Sequence, residues 1–512
     1  MIDNTHFDIL NVIETHGTYQ PEKPAICCGE ITRLWKDFRQ NINKVANFFK
    51  KIGIHKGDNV ALLIGNRPEI LELIFGIVKM GACVVPLSGL LTKEQITVLA
   101  NNSDAKLFIV DNNLIDLVTS DLAQFKNIDE GKLLLLGGEL DCWEKISSEE
   151  KDYGFDYNCK PEDNFNIIYS SGTTGVPKGI VQTHRARSHW ATSNAIEMSF
   201  NSECKSLTTT ALYSNGTWLM MLPTLFVGGT LHVMTGFDPK AFVDLVRREE
   251  ITHTFLVPPQ FSAILSLENL EKDSFNSLKT ILSAGSPLRL DVKENILTSM
   301  SENLFELYGF SEGFATMLKP HDQRKKFGSV GTPVLGFEIK IIDEKGNECS
   351  PNVAGEIAGY GAGMMKEYYS EVELTNSLIW TDNRGRSFIK SGDIGSLDED
   401  GFLTILDRKK DMIISGGLNV FPVDIEEVVG KHPDIVDVTV IGVPHEKWGE
   451  TCVALIIPKD GLEIDCDEIK NWSNEKLAKH QRLYKVETRT EFPRNALGKV
   501  LKRVLREPYW SQ

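Results

Sequence analysis

Phe165-Asn166-Ile167-Ile168-Tyr169-Ser170-Ser171-Gly172-Thr173-Thr174-Gly175-Val176-Pro177-Lys178-Gly179 runs an apolar segment straight into a loop of two serines, two threonines, three glycines and one lysine. Glycines let successive backbone N–H groups turn toward one anion, hydroxyls add donors, and Lys178 adds a point charge. That is the chemistry of a polyphosphate cradle. It is not a Walker A loop, which needs Gly directly before the Lys and Ser or Thr directly after, whereas Lys178 stands between Pro177 and Gly179. On composition alone a flexible surface loop competes evenly with the cradle.

Around this stretch the chain alternates helical and strand patterns. Leu34 to Lys51 spaces apolar residues at three and four, as an amphipathic helix does. Asn59 to Ile64 reads as a buried strand, Pro68 to Met80 as a helix ended by Gly81, and Cys83 to Leu87 as a strand again. The same rhythm recurs from Asp163 to about Val330. It predicts an α/β protein with two doubly wound, largely parallel sheets carrying helices on their faces. Beyond Gly331 the texture changes to short strands, at Phe337 to Ile342, Gly355 to Ala358 and Gly401 to Leu406, which predict a small β unit. The charged run Asp407-Arg408-Lys409-Lys410-Asp411 reads as a linker, and small-scale α+β patterning follows it. The expected division is a large N-terminal domain over 1–409 and a small C-terminal domain over 410–512.

The chain has 512 residues, 41% of them apolar and 25% charged, with 55 basic and 71 acidic side chains and a net charge of −16. That mixture excludes a disordered chain, a collagen-like repeat and a disulfide scaffold. The acidic balance argues against nucleic acid as a partner, because such binding neutralises phosphates with Lys and Arg. No run approaches the roughly 20 apolar residues of a membrane helix, and the acids Asp3 and Asp8 stand where a signal peptide needs a basic region. Nine scattered cysteines without a C-x-x-C pair predict reduced thiols and a cytoplasmic location. The basic tail Lys499, Lys502, Arg503 and Arg506 reads either as a solvated helix end or as a surface that meets phosphates.

The order Ser170-Ser171-Gly172-Thr173-Thr174-Gly175-x-Pro177-Lys178-Gly179 closely resembles the phosphate loop of the adenylate-forming (AMP-binding) superfamily, which includes acyl-CoA synthetases and aryl-CoA ligases. Further matches follow in that family's order. Ser283-Ala284-Gly285-Ser286-Pro287-Leu288 resembles the turn bordering the adenine and the acyl pocket. Tyr308-Gly309-Phe310-Ser311-Glu312 resembles its Tyr-Gly-x-Thr-Glu motif, with Ser311 in place of Thr. Ser391-Gly392-Asp393 resembles its Thr-Gly-Asp, and Asp407-Arg408 resembles its hinge, with Asp407 in place of the usual Gly. Ser415-Gly416-Gly417 resembles its pantetheine-tunnel loop, and Pro493 to Lys499 its terminal Pro-x-x-x-x-Gly-Lys.

The resemblance implies a role for each. Ser170, Ser171, Gly172, Thr173, Thr174 and Lys178 would hold ATP phosphates. Gly285, Ser286, Pro287, Tyr308 and Gly309 would border the nucleotide, with Tyr308 stacked on adenine. Ser311 would serve the phosphates, Asp393 the ribose hydroxyls, and Arg408 the nucleotide. Glu312 would hold Mg²⁺, a hard ion that shares its shell with phosphates. Thr173, Glu312 and Lys499 would be the catalytic set. Lys410 would be the hinge of a mobile C-terminal domain, and Gly416 and Gly417 would line the CoA path. Tyr213, Ser214 and Phe310 would line the acyl pocket, with Phe261 and Phe314 beside them. Ser214 stands where amino-acid-activating members have Asp and many CoA ligases have His, which argues against an amino-acid substrate.

The implied enzyme is an ATP- and Mg²⁺-dependent carboxylate–CoA ligase working through an acyl-adenylate. A fatty acid is its first substrate choice and an aromatic acid of the benzoate or cinnamate type its second; a member that hands the adenylate to a carrier protein or to oxygen stays open, as does a homodimer. A reading of another class exists: Gly309-Phe310-Ser311-Glu312-Gly313 satisfies G-x-S-x-G, the nucleophile elbow of serine hydrolases, which requires a strand–turn–helix.

Overall fold

The computed structural model describes residues 8–118, 122–138, 141–149, 159–170, 178–415, 418–459, 461, 462, 464–494 and 499–510. They fall into two compact units. One comprises Met1–Phe327, Pro333–Glu338 and Tyr360–Ile379; the other comprises Gly328–Thr332, Ile339–Gly359 and Trp380–Gln512.

The first unit is built on two mixed sheets. In one, the strands run in the order Glu367–Tyr368, Lys178–Thr183, Asn164–Ser170, Cys83–Pro86, Asn59–Leu63, Leu107–Asp111 and Leu133–Leu136. The last five are mutually parallel, while Lys178–Thr183 is antiparallel to both of its neighbours. Every residue of Asn59–Leu63 and of Leu107–Asp111 is buried, as a parallel strand covered on both faces requires. Eight neighbouring strands of the nine-stranded second sheet run in the order Ala315–Leu318, Leu304–Gly309, Thr280–Ser283, His253–Leu256, Lys205–Thr208, Thr230–Val233, Pro24–Cys28 and Ile31–Leu34, and among these eight only the first and last pairs are antiparallel.

The predicted helix at 34–51 is observed over Trp35–Lys51, burying Trp35, Phe38, Ile42, Val45 and Phe49 on one stripe, with Lys50 and Lys51 in its last turn. Each such large apolar side chain contributes about 2–3 kcal/mol by leaving water. Phe165, at the head of the phosphate-loop strand, meets Phe75, His184 and Trp218 at ring-centroid distances of 6.4, 5.1 and 6.2 Å. The strand that carries the loop is thereby locked to helices on both of its sides in sequence.

In the second unit, Ser387–Leu397 pairs antiparallel with residues of Gly355–Gly361 and with Leu403–Arg408. Toward the C-terminus, Leu418–Val420, Ile413–Ser415, Gly449–Pro458 and Ile435–His445 form a sheet that Leu483–Thr488 joins. It packs on the helices Pro422–Val429 and Cys466–Asn474 through Ile425, Val429, Ile469, Val440 and Ala454.

Two expectations need correction. The charged run is only partly a linker: the strand continues through Asp407 and Arg408, and the turn begins at Lys409. Asp407 and Arg408 can occupy a strand because both carboxylate and guanidinium find partners, as described below. The basic tail is likewise not wholly solvated. Lys502 pairs with Glu426 at 2.8 Å, and Arg506 donates to the Lys410 carbonyl at 2.8 Å. All nine cysteines are free thiols. Among the described residues no helix is long and apolar enough to cross a membrane.

Candidate active site

The first unit carries its candidate residues at strand ends of both of its sheets. Asn164–Ser170 and Lys178–Thr183 are antiparallel, with Ser170 opposite Lys178. Ser171, Gly172, Thr173 and Thr174 lie outside the described residues, as does the side chain of Ser170. Lys178 itself is fixed: its ammonium lies 5.0 Å from the centre of the Tyr368 ring, a favourable cation–π distance. Tyr368 gets there because Glu367–Tyr368 pairs antiparallel with the Lys178 strand, Tyr368 opposite Ile180. Its hydroxyl donates to Glu312 Oε1 at 2.6 Å. Burial, reinforced by the Glu312 carboxylate, pushes the Tyr368 phenol well above its usual pKa, so it stays a neutral donor. One phenol thus holds a lysine over its ring and a carboxylate at its hydroxyl. Nothing in the motifs marked Tyr368; the adjacent pair Tyr368-Tyr369 was the only signal.

Glu312 stands in the turn after Leu304–Gly309. Its carbonyl accepts from Met365 N–H at 2.7 Å, and the preceding Ser311 carbonyl accepts from Gln182 Nε2 at 2.8 Å. The Ser311 hydroxyl accepts from Asn215 Nδ2 at 3.2 Å. Gly309 is required by a close approach, since a Cβ there would lie 2.9 Å from the Phe314 carbonyl oxygen. Tyr308 and Phe310 are half-buried on either side of fully buried Phe314, at centroid distances of 6.3 and 4.9 Å. The neighbouring parallel strand Thr280–Ser283 delivers Gly285, Ser286 and Pro287 at the same end. Gly285 has φ +95°, a conformation L residues avoid. Ligands of open α/β sheets sit at such carboxyl ends.

The acyl-pocket candidates divide. Tyr213 is half-buried and Ser214 buried, in a segment pinned by Asn66, whose amide donates to the Thr210 carbonyl at 3.1 Å and accepts from Leu212 N–H at 2.8 Å. Phe261 is wholly buried and packs with Phe242, Ile264 and Leu297, just as Phe314 is wholly buried beside Phe310. The nucleophile-elbow reading of Ser311 is overturned: Leu304–Gly309 turns back into Ala315–Leu318 as an antiparallel hairpin, with Gly309 opposite Ala315, so no helix follows the serine.

In the second unit, Asp393 and Arg408 are cross-strand partners, Arg408 Nε lying 3.2 Å from Asp393 Oδ1. Asp393 is buried, and its N–H donates to Ser391 Oγ at 3.0 Å across Gly392, which has φ +72° within the strand. Lys499 belongs to the same cluster. Burial first, then the Arg408 cation, pulls its pKa down to about 8, while Asp393 and Asp411 act the other way. Lys410 is exposed, with its carbonyl held by Arg506. Asp407 is pushed up to about 6 by burial, against the pull of Lys502; its oxygens accept from Arg408 N–H at 2.6 Å and Val423 N–H at 3.4 Å. Gly416 and Gly417 lie outside the described residues.

Among the described residues no group of three His, Cys, Asp or Glu side chains could hold a metal by itself. A lone carboxylate such as Glu312, with one oxygen bonded by Tyr368, fits an ion that takes most of its shell from phosphates and water.

A model of the AMP-binding enzyme family matches residues 13–369, and one of the AMP-binding enzyme C-terminal domain matches 424–499. The chain is 30% identical to a feruloyl-CoA synthase of Amycolatopsis sp over 496 residues, 96% of each chain. It is 30% identical to a 2-succinylbenzoate–CoA ligase of Geobacillus kaustophilus over 506 residues, 97% of each. Its structure is similar to the crystal structure of ATP-bound MatB from Rhodopseudomonas palustris, with a TM-score of 0.90 and 26% identity over 98% of this chain and 99% of that one. The chain belongs to the AMP-binding enzyme family, in its acyl-CoA synthetase and aryl-CoA ligase branch. Within that branch it is an AMP-forming acid–thiol ligase.

Proposed function

We propose that this enzyme joins a carboxylic acid with an apolar body to coenzyme A, using ATP and Mg²⁺. A carboxylate is a poor electrophile because its leaving group would be oxide. Its oxygen attacks the α-phosphorus of ATP, a P–O bond to pyrophosphate breaks, and an acyl-adenylate forms. The CoA sulfur then attacks the acyl carbon, the thiol proton is lost, and the C–O bond to AMP breaks. The observation that carries this reading is the Lys178–Tyr368–Glu312 assembly at the mouth of the phosphate loop, a cation and a carboxylate held by one phenol.

In this reading Ser170, Ser171, Gly172, Thr173, Thr174, Lys178 and Ser311 bind phosphate oxygens, Tyr308 and the Gly285–Pro287 turn border the base, and Asp393 and Arg408 serve the ribose end. Lys499 carries adenylation, its positive charge opposing the negative charge that gathers on the phosphate and its leaving group. Mg²⁺, when bound at Glu312, neutralises charge on the phosphates. Lys410 is the hinge about which the C-terminal domain changes its presented face, and Gly416 and Gly417 line the CoA path. Catalysis is then mostly positioning and charge stabilisation.

The acyl body is a fatty chain in the first reading, since Tyr213, Phe310 and buried Phe314 offer hydrocarbon contact. An aromatic acid is the second, favoured by relatives named for feruloyl and succinylbenzoate substrates. The test is pyrophosphate release from ATP with dodecanoate, benzoate, cinnamate or ferulate, with and without CoA. Release with one of these acids, and thioester formation when CoA is present, is expected. Release without any thioester would remove CoA as the acceptor.

A further inference from the structure

Arg187, in the helix His184–Glu197, is 3% exposed and has no carboxylate partner among the described residues; burial alone depresses its basicity. A buried, unpaired guanidinium is expensive and calls for a reason. Its Nε donates to Asn166 Oδ1 at 2.7 Å and its Nη1 to Asn215 Oδ1 at 2.9 Å, its guanidinium carbon lies 4.5 Å from the centre of the Trp218 ring, and Nη2 has no partner among the described residues.

A guanidinium only donates. It therefore dictates which end of the Asn215 amide faces it: the carbonyl oxygen turns to Arg187 and the NH₂ to Ser311. The Ser311 hydroxyl accepts that N–H at 3.2 Å, so its own proton is left to point elsewhere, and no described residue accepts it. We propose that Arg187 is a positioning residue that sets the direction of the chain Arg187 → Asn215 → Ser311, so that Ser311 presents an O–H donor to an oxyanion, a phosphoryl or carboxylate oxygen of the reacting ligands. The uncompensated positive charge at the head of the chain polarises each bond in the same sense. This rests on the ligase reading above, in which Ser311 faces the phosphates. It assigns a role to Arg187 and Asn215, which no motif singled out.

The discriminating variant is Asn215→Asp in the full-length chain. It is nearly isosteric and supplies Arg187 with a counter-ion, so the fold is kept. It cannot donate, so Ser311 turns its proton inward to the new carboxylate and is lost to the ligand. Pyrophosphate–ATP exchange is measured with whichever acid of the panel above reacts fastest. Expected is a melting temperature at or above the parent's with a 10- to 100-fold lower exchange kcat, the scale on which supporting hydrogen-bond partners act. In a Ser311→Ala background, where the donor is already gone, Asn215→Asp and Arg187→Met are each expected to cost less than 3-fold more. An Asn215→Asp enzyme at the parental rate, or losses that multiply in full in the Ser311→Ala background, would overturn the proposal. A parent chain that exchanges no pyrophosphate with any acid would instead overturn the ligase reading, and the relay with it.

Discussion

Tyr368 is the residue on which the first unit's candidate site turns, because it touches both Lys178 and Glu312. Tyr368→Phe keeps the ring under the lysine and deletes the hydroxyl. A hydrogen bond to a charged group is worth about 1.5–3 kcal/mol, so pyrophosphate exchange should fall about 10- to 150-fold, with the Mg²⁺ concentration for half-maximal rate raised. An unchanged Mg²⁺ dependence in a titration would show that Glu312 does not need its partner. At Lys499 the pH dependence has a definite sign. Its ammonium loses its proton near pH 8 instead of 10.5, so kcat/KM for adenylation should decline above about pH 8. Lys499→Ala should cut that rate at least 100-fold and remove the alkaline limb, while thioester formation from supplied acyl-adenylate persists. A parental alkaline limb in the variant would assign the titration to another group. Lys178, Glu312 and Lys499 were legible as residues because their motifs are long and ordered. Arg187, Asn215, Gln182 and Tyr368 were not, because what matters in them is a partner 28 to 129 positions away.

At the scale of the element, the strand Leu403–Arg408 and the turn after it hold the proposed hinge. Lys410→Pro would fix φ and restrict Lys409 as well. Thioester formation should fall at least 10-fold while adenylation stays near parental; equal losses in the two half-reactions would remove the hinge assignment. Three residues before Lys410 the strand buries Asp407, whose carboxyl holds its proton up to about pH 6 where an unfolded aspartate releases it near 3.8. A carboxyl raised in this way supports the fold below pH 3.8 and loses that support as pH rises through 6. Asp407→Asn should therefore be more stabilising at pH 8 than at pH 5, by about 1–3 kcal/mol in that difference, read as melting temperature against pH. A pH-independent difference would mean that Lys502 already neutralises the carboxylate. Sequence spacing located the helix Trp35–Lys51 and the strands Asn59–Leu63 and Asn164–Ser170 within a residue or two, since their apolar periodicity is strong. It missed that Asp407 and Arg408 are strand residues, because charge in a strand is tolerated only where cross-strand partners exist, and those are chosen by the fold.

For the molecule as a whole, the α/β class and the two βα sheets followed from the alternation of helical and strand periods, and both sheets are present. What the alternation left unread is where each sheet stops being parallel. Lys178–Thr183 and Ala315–Leu318 are both antiparallel to the strand before them. Ser170 and Lys178 flank the first reversal, and Phe310 to Phe314 lie in the second, so the candidate residues stand where the pattern breaks. In the proposed function, the residues at these two reversals grip a nucleoside triphosphate to activate a carboxylic acid. Isothermal titration of the full chain with ATP and excess Mg²⁺ tests it most directly: saturable binding at one site per chain, weakened at least 10-fold by Lys178→Ala, is predicted, and a flat titration at millimolar ATP would contradict it.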